Sequence, residues 1–199
     1  MTLPNIGLIG KLRAGKDVVA AYLADKHGYT PFAFGDELKR YAHELYGGPA
    51  PGTKPRELYQ WLGQTLRERD PDIWVRKCFE SISQKERSDS AYYDMPWNAH
   101  SRQPFRAVIT DVRQPNEYNR LNAEGYVLIR VQSKDALRIQ RAIDSGDTFN
   151  YTDLMHGTET ALDGYAADFT VTNEGSLDEL YAQIDEIIAT LRSAGGGAA

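Results

Sequence analysis

The sequence predicts an α/β protein in which a mainly parallel β-sheet carries helices on both faces. Short apolar runs typical of buried strands alternate along the chain with longer segments of helical periodicity. Such alternation is the pattern of a parallel sheet covered by helices. A glycine-rich turn from Gly10 to Gly15 joins the first apolar run to the first helical segment, which adds a strand–turn–helix unit at the start of the fold.

The remaining elements follow in the same alternation. Strands are predicted at residues 3–9, 29–34, 107–112, 126–131 and 169–171. Helices are predicted at residues 17–26, 37–46, 56–69, 72–83, 115–124, 137–147 and 177–191. In the first helix we expect Val18, Ala21 and Tyr22 to share one face. Residues 47–55 form a Gly/Pro-rich connection, and residues 88–104, polar and without periodicity, are predicted to be a long surface loop.

The turn after the first strand fits the phosphate-binding pattern GxxxxGK. Its glycines let successive backbone N–H groups point at phosphate oxygens, its lysine adds charge for the β and γ phosphates, and the next helix directs its positive end at the same anion. The strand and helix that this motif requires are both predicted here. We therefore expect the chain to bind a nucleoside triphosphate through Gly10, Lys11, Arg13, Ala14, Gly15, Lys16, Asp17 and Val18.

Asp17 follows the lysine, where Ser or Thr usually supplies a hydroxyl ligand to Mg²⁺. A carboxylate at this position can hold the metal directly or through water. It also interacts favourably with the helix dipole, by under about 1 kcal/mol, and the two roles are compatible.

Composition limits the other possibilities. The 199 residues predict a single domain over 1–192 and a flexible tail over 193–199. A net charge of −5 argues against a polynucleotide partner, since phosphate-backbone binders need a basic face. One cysteine and four scattered histidines offer no disulfide framework and no zinc site. With no apolar run near about 20 residues and no signal peptide, the cytoplasm is the expected compartment.

Four ordered segments carry a resemblance to a known family. They are the loop 10–17, residues 60–67 followed by Trp74-Val75, residues 109–117, and His156-Gly157-Thr158-Glu159 followed by residues 168–173. From Ile6 to about Leu180 the chain resembles the deoxynucleoside monophosphate kinases of bacteriophages, within the P-loop nucleoside monophosphate kinase group. It departs from them at Val18, where a threonine is common. Asp17 therefore lacks a neighbouring hydroxyl group in the expected metal shell.

The resemblance implies a three-layer P-loop NTPase fold with an acceptor-binding helical segment at about 36–85 and a lid at about 133–155. It also implies transfer of the γ-phosphoryl of ATP to the 5′-phosphate of a nucleotide, with Mg²⁺, for DNA synthesis, in the host cytoplasm if the protein is phage-encoded. The expected partners are small nucleotides, with no nucleic acid or membrane, and a homodimer stays open.

On the acceptor side, the resemblance makes Arg67 a bidentate clamp on the acceptor phosphate, one helical turn beyond Gly63. Asp36 and Lys39 are candidates for the same pocket, although a helix N-cap and a solvated lysine would explain them as well. Further candidates for substrate binding are Trp61 and Gln64. Trp74 is expected to pack in the core instead.

On the donor side, Asp111 takes the place of a Walker B acid that orients Mg²⁺, and Arg113 reaches a phosphate between donor and acceptor. An Asp–Arg pair bridging strand end and loop is the structural alternative. Arg138 and Arg141 share one helix face and become lid arginines for the transferring phosphoryl group, whereas without the resemblance they would be solvated. The backbone of Asn173 is predicted to contact adenine.

Two other functions stay open at this point. A related small-molecule kinase, of the phosphomevalonate or dephospho-coenzyme A type, would share the donor site and differ in its acceptor. A non-catalytic nucleotide-binding module would account for Asp17 and Val18 at the motif's metal positions. The combination of an acceptor clamp with lid arginines favours the enzyme.

Overall fold

The structure is a computed structural model that describes residues 3–50, 53, 55–95, 97–98, 100, 103–145 and 161–194. The chain divides into two compact units, residues 1–31 with 103–199 and residues 32–102. Part of the predicted lid, the segment 156–159 and the end of the predicted tail lie outside the described residues. Among the described helices, none combines the length and apolar character needed to span a bilayer.

The first unit is built on a five-stranded sheet with the order β2-β3-β1-β4-β5. Strand β1 pairs in parallel with β3 and with β4, and β4 pairs in parallel with β5. The strands are β1 Ile6–Ile9, β2 Thr30–Phe32, β3 Ala107–Val112, β4 Val127–Gln132 and β5 Phe169–Thr172. The helices of this unit are α1 Lys16–His27, α5 Pro115–Ala123, α6 Asp135–Asp144 and α7 Leu177–Ala194. This is the predicted three-layer P-loop fold, and α7 extends two residues into the predicted tail.

The central strand β1 is buried at all four of its residues, as expected for a parallel strand covered on both faces. The main core packs β1 and β4 against α1 and α7. Its α1 members are Val19, Ala20 and Leu23, while Val18 and Tyr22 lie at its margin and Ala21 is exposed. Of the three residues predicted to share a face of α1, Val18 and Tyr22 therefore pack against the core and Ala21 does not.

The second unit contains three helices: α2 Phe34–Tyr46, α3 Arg56–Arg69 and α4 Ile73–Tyr93. Trp74 is 2% exposed, and its indole Nε1–H donates a hydrogen bond to the carbonyl of Gly63 at 3.2 Å. Cys78 and Leu62 are also buried in this unit. The prediction that Trp74 packs in the core is confirmed.

Helix α4 corrects the predicted surface loop. It continues ten residues beyond the predicted end at 83, through a polar stretch whose side chains are mostly exposed. Lys85 and Asp89 form an ion pair one turn apart in this stretch, which favours helix without apolar periodicity. Helix α2 likewise begins three residues before the predicted start, at Phe34. Phe34 is buried as the first residue of this helix and is not part of strand β2, which ends at Phe32.

Candidate functional site

The turn between β1 and α1 has a backbone that only glycine tolerates at two positions. Gly10 has φ 154°, and a Cβ there would lie 2.4 Å from the carbonyl oxygen of Val131. Gly15 has φ 108°, and a Cβ there would lie 2.2 Å from the side-chain nitrogen of Asn173. Both glycines of the GxxxxGK pattern are therefore required by conformation and by space.

Lys16 is the first residue of α1, and its side chain folds back over this turn. Its side chain is buried, and its Nζ donates to the carbonyl oxygens of Gly10 at 2.5 Å and Lys11 at 3.0 Å. Asp17 is exposed in the same first turn of α1. The loop thus combines a helix N-terminus, a lysine ammonium and a carboxylate at the carboxyl end of the central strand, where ligands bind in open α/β sheets.

Strand β3 contains a bulge beside this loop. Gly7 pairs with Ile109, but Ile9 pairs with Val112, so that β3 has one extra residue against β1. The residues in the bulge are Thr110 and Asp111, and both are half-buried. Bulges are rare between parallel strands and are over-represented next to active sites, where they re-aim a side chain. The candidate Walker B acid, Asp111, is one of the two residues at this irregularity.

Arg113 follows β3, and Glu117 fixes its backbone. The carboxylate of Glu117 is buried and accepts hydrogen bonds from the N–H groups of Arg113 at 2.8 Å and Gln114 at 3.0 Å. We did not predict a role for Glu117. The spacing from Gln114 to Glu117, with Pro115 between them, is the signal that could have revealed it, because a Glu at the third helical position caps the backbone at the helix start.

The two arginines of α6 contact the P-loop backbone. Arg138 is 3% exposed, and its Nε donates to the carbonyl of Leu12 at 2.8 Å. Its Nη1 pairs with Asp135, and within the described residues its buried Nη2 has no hydrogen-bond partner. The Nη1 of Arg141 lies 3.5 Å from the carbonyl of Arg13. The structure therefore brings both predicted lid arginines to the phosphate-binding loop.

Asn173, at the end of β5, is tied to the same loop. Its side-chain nitrogen donates to the carbonyl of Ala14 at 2.9 Å, and its backbone N–H donates to Gln132 at 2.8 Å. Its backbone and side-chain oxygens accept from the Nη2 of Arg141 at 3.0 and 3.3 Å. The polar groups of Asn173 are thus engaged within the protein, while contact of its backbone with adenine stays a prediction.

A cavity of about 370 Å³ opens beside the loop. Its walls come from the loop, the carboxyl end of β4 and the start of α6, and they carry charges of both signs. Lys134 pairs with Glu174 at 2.8 Å, and this contact raises the pKa of the lysine. Lys11 lies 3.5 Å from Asp163. The volume is that of a small-molecule site, and its place at the strand ends makes it the candidate nucleotide cavity.

The two residues predicted to hold magnesium, Asp17 and Asp111, are carboxylates, which suit that metal chemically. In the part of the chain that the structure describes, no three His, Cys, Asp or Glu side chains gather as a metal cage. Mg²⁺ in nucleotide enzymes is usually held by one or two carboxylates, with water and substrate phosphates completing the shell. Asp17 and Asp111 supply carboxylates of this kind.

The candidate acceptor residues lie on α2 and α3 of the second unit. Asp36 and Lys39 are exposed and form an ion pair at 3.0 Å. Trp61 is 52% exposed, and Gln64 is also exposed. Arg67 is half-buried, and its Nη1 lies 3.4 Å from where a Cβ on residue 63 would lie, which is close to an ordinary contact distance.

Two viral proteins match the chain in sequence. One is a protein of Acanthamoeba polyphaga mimivirus, and its name proposes deoxynucleotide monophosphate kinase activity. It is 28% identical over 198 residues, which cover 90% of this chain and 93% of the relative. The deoxynucleotide monophosphate kinase of Escherichia phage RB69 is 33% identical over 135 residues, covering 67% of this chain. The chain is homologous to these viral nucleotide kinases. It spans 44% of the RB69 kinase, and no family model matches it.

A solved structure extends the comparison to the fold. The gluconokinase from Sinorhizobium meliloti 1021 superposes with a TM-score of 0.57 at 14% identity, covering 98% of both chains. At this identity the likeness establishes the fold alone. The viral nucleotide kinase homologues confirm the family resemblance found in the sequence motifs.

Proposed function

We propose that the protein transfers the γ-phosphoryl of ATP to the 5′-phosphate of a deoxynucleoside monophosphate and so forms the diphosphate for DNA synthesis. The observation that carries the donor half is the P-loop, with Lys16 buried over its carbonyls and a cavity of about 370 Å³ beside it. The acceptor half is supported by two homologues named for deoxynucleotide monophosphate kinase activity.

The donor site needs charge and geometry more than covalent chemistry. Phosphoryl transfer proceeds by placing two anions in line, neutralising their charge and excluding water. Lys16 exchanges its bonds to the loop carbonyls for bonds to phosphate oxygens, and Arg113 supplies a second cation. Asp17 and Asp111 would hold Mg²⁺, which supplies charge neutralisation to the β and γ phosphates when bound.

The acceptor site uses the second unit. Arg67 holds the acceptor phosphate through a planar guanidinium that suits two parallel hydrogen bonds. Asp36, Lys39 and Gln64 contribute polar contacts to the nucleoside, and the exposed ring of Trp61 offers an apolar surface for it.

The test measures ADP release from ATP with a panel of deoxynucleoside monophosphates, phosphomevalonate, dephospho-coenzyme A and no acceptor, each with Mg²⁺ and with EDTA. We expect Mg²⁺-dependent ADP release with at least one deoxynucleotide. Release with phosphomevalonate or dephospho-coenzyme A alone would identify the related small-molecule kinase. ATP binding without ADP release from any acceptor would identify a binding module.

The place of action follows from the substrates. A kinase that supplies diphosphates acts on the nucleotide pool, so we also propose that the protein works in the cytoplasm, of the host cell if it is phage-encoded.

A further inference from the structure

Three consecutive carbonyl groups of the P-loop each face a side-chain donor from outside the loop. Leu12 accepts from Arg138 Nε at 2.8 Å, and Ala14 accepts from Asn173 Nδ2 at 2.9 Å. Between them, Arg13 faces Arg141 Nη1 at the longer distance of 3.5 Å. The donors come from α6 and from the end of β5, far from the loop in sequence. We call Arg138, Arg141 and Asn173 the carbonyl brace.

By binding these carbonyls, the brace also orients the N–H groups on the other side of the same peptide units. In a trans peptide the C=O and the next residue's N–H point in opposite directions. Holding the carbonyls of Leu12 and Ala14 against the brace therefore turns the N–H groups of Arg13 and Gly15 to the other face. Phosphate-binding loops offer their N–H groups to the anion on one concave face.

The weaker middle contact fits this arrangement. The N–H of Ala14, the peptide partner of the Arg13 carbonyl, donates to Lys11 within the loop at 3.2 Å. Its orientation is thus already set by the turn. Arg13 itself has φ 62°, a conformation that non-glycine residues keep only where the surrounding structure determines it. The hydrogen bonds from the brace to Leu12 and Ala14 hold the backbone on both sides of Arg13 and so maintain this conformation.

The members of the brace are themselves fixed. Arg138 and Asn173 are 3% and 5% exposed. Arg141 donates to the hydroxyl of Ser133 at 3.2 Å and to both oxygens of Asn173, and Asn173 is bonded through its N–H to the end of β4. The loop is thus held against the sheet through two neighbouring strand ends.

We infer that Arg138, Arg141 and Asn173 are positioning residues that shape the P-loop for the triphosphate before any acceptor binds. This rests on the proposed function only in taking the loop as the triphosphate site. The task is separate from the contact with the transferring phosphoryl group that the lid prediction gives to the two arginines, because it operates in the enzyme without ligand.

The test uses inorganic tripolyphosphate, which has no base and requires no acceptor. Asn173→Leu removes the donor to Ala14 without adding charge, and Arg138→Lys keeps the positive charge but can satisfy only one of the bonds to Leu12 and Asp135. By calorimetry we expect each variant to bind tripolyphosphate about tenfold more weakly, as for one lost buried hydrogen bond. Gln140→Ala, exposed on the same helix, is the matched control and should bind as the wild type does.

A second readout separates the brace from a closing lid. In amide NMR spectra of the unliganded protein, the signals of Arg13 and Gly15 should shift in both brace variants and stay unchanged in the control. If Asn173→Leu fails to fold, Arg138→Lys decides the matter alone. Wild-type tripolyphosphate binding and unshifted Arg13 and Gly15 signals, with only kcat reduced, would overturn the inference in favour of lid arginines. Failure of the proposed function would appear differently, as wild-type enzyme that binds tripolyphosphate yet releases no ADP with any deoxynucleotide.

Discussion

The buried carboxylate of Glu117 accepts a hydrogen bond of 2.8 Å from the backbone N–H of Arg113. This bond joins the first turn of α5 to the residue that leaves β3 toward the candidate phosphate site. A charged acceptor on a backbone donor is a strong type of hydrogen bond. Glu117 therefore determines where the backbone of Arg113 lies, and with it where the guanidinium can reach.

Replacing Glu117 should affect both stability and turnover. We expect Glu117→Ala to lower the free energy of unfolding by about 1–3 kcal/mol, because two N–H groups lose their acceptor, and to lower kcat/KM through Arg113. Glu117→Gln should cost less, since its amide oxygen still accepts. Urea unfolding and steady-state kinetics measure the two effects. Glu124→Ala, in an exposed pair at the end of α5, is the control. An equal loss in Glu124→Ala would show that α5 is merely sensitive to substitution.

Lys16→Ala should lower kcat on the order of 10²-fold or more, because the ammonium stabilises charge on the transferring phosphoryl group. The fold should survive, since the Nζ of Lys16 bonds to carbonyl groups of the loop itself. Circular dichroism and ADP release are the measurements. A folded variant with normal turnover would mean that the loop is only a structural turn.

Arg67→Ala should raise the KM for the deoxynucleotide by roughly 10- to 100-fold, matching a lost charge-assisted pair of about 1.5–3 kcal/mol. The KM for ATP should change much less. Arg69→Ala removes the same charge two residues later, from an exposed position on α3, and should leave both values near those of the wild type. If Arg67 governed the KM for ATP, the segment would have been assigned to the wrong substrate.

Alkaline stability should depend on Tyr29. Burial raises the pKa of its phenol to about 12, and the hydroxyl donates to the carbonyl of Pro4 at 2.8 Å. The folded state favours the neutral phenol, so this contribution is complete below pH 10 and is lost as the pH rises from about 10 to 12. A shift of this size corresponds to about 2–3 kcal/mol. Denaturant unfolding of wild type and Tyr29→Phe should show the wild type alone losing this increment in that window. Parallel profiles would contradict the shift.

Local signals predicted the fold well where each element had its own pattern. Helix α3 runs from Arg56 to Arg69 as predicted, because its amphipathic period and its flanking Gly/Pro connection are both local. The extension of α4 beyond residue 83 could not be predicted from periodicity, since a polar helix exposed on most sides has none.

The site was predictable only in part for a related reason. The P-loop is a contiguous motif, so its glycines and lysine can be read directly. The contact of Arg138 with Leu12 spans 126 positions, and that of Asn173 with Ala14 spans 159. Nothing in the residues themselves indicates such pairs, because the parallel sheet alone brings the ends of β1, β4 and β5 together.

The chain has one cysteine, and it lies in the second unit, so only that unit can react with a thiol reagent. Cys78 lies on α4 with 1% of its surface exposed, so a thiol reagent reaches it only when the helices of the second unit separate. The rate of modification therefore reports the opening of that unit without an engineered label. The unit that carries the P-loop contains no thiol, so it does not react with such a reagent.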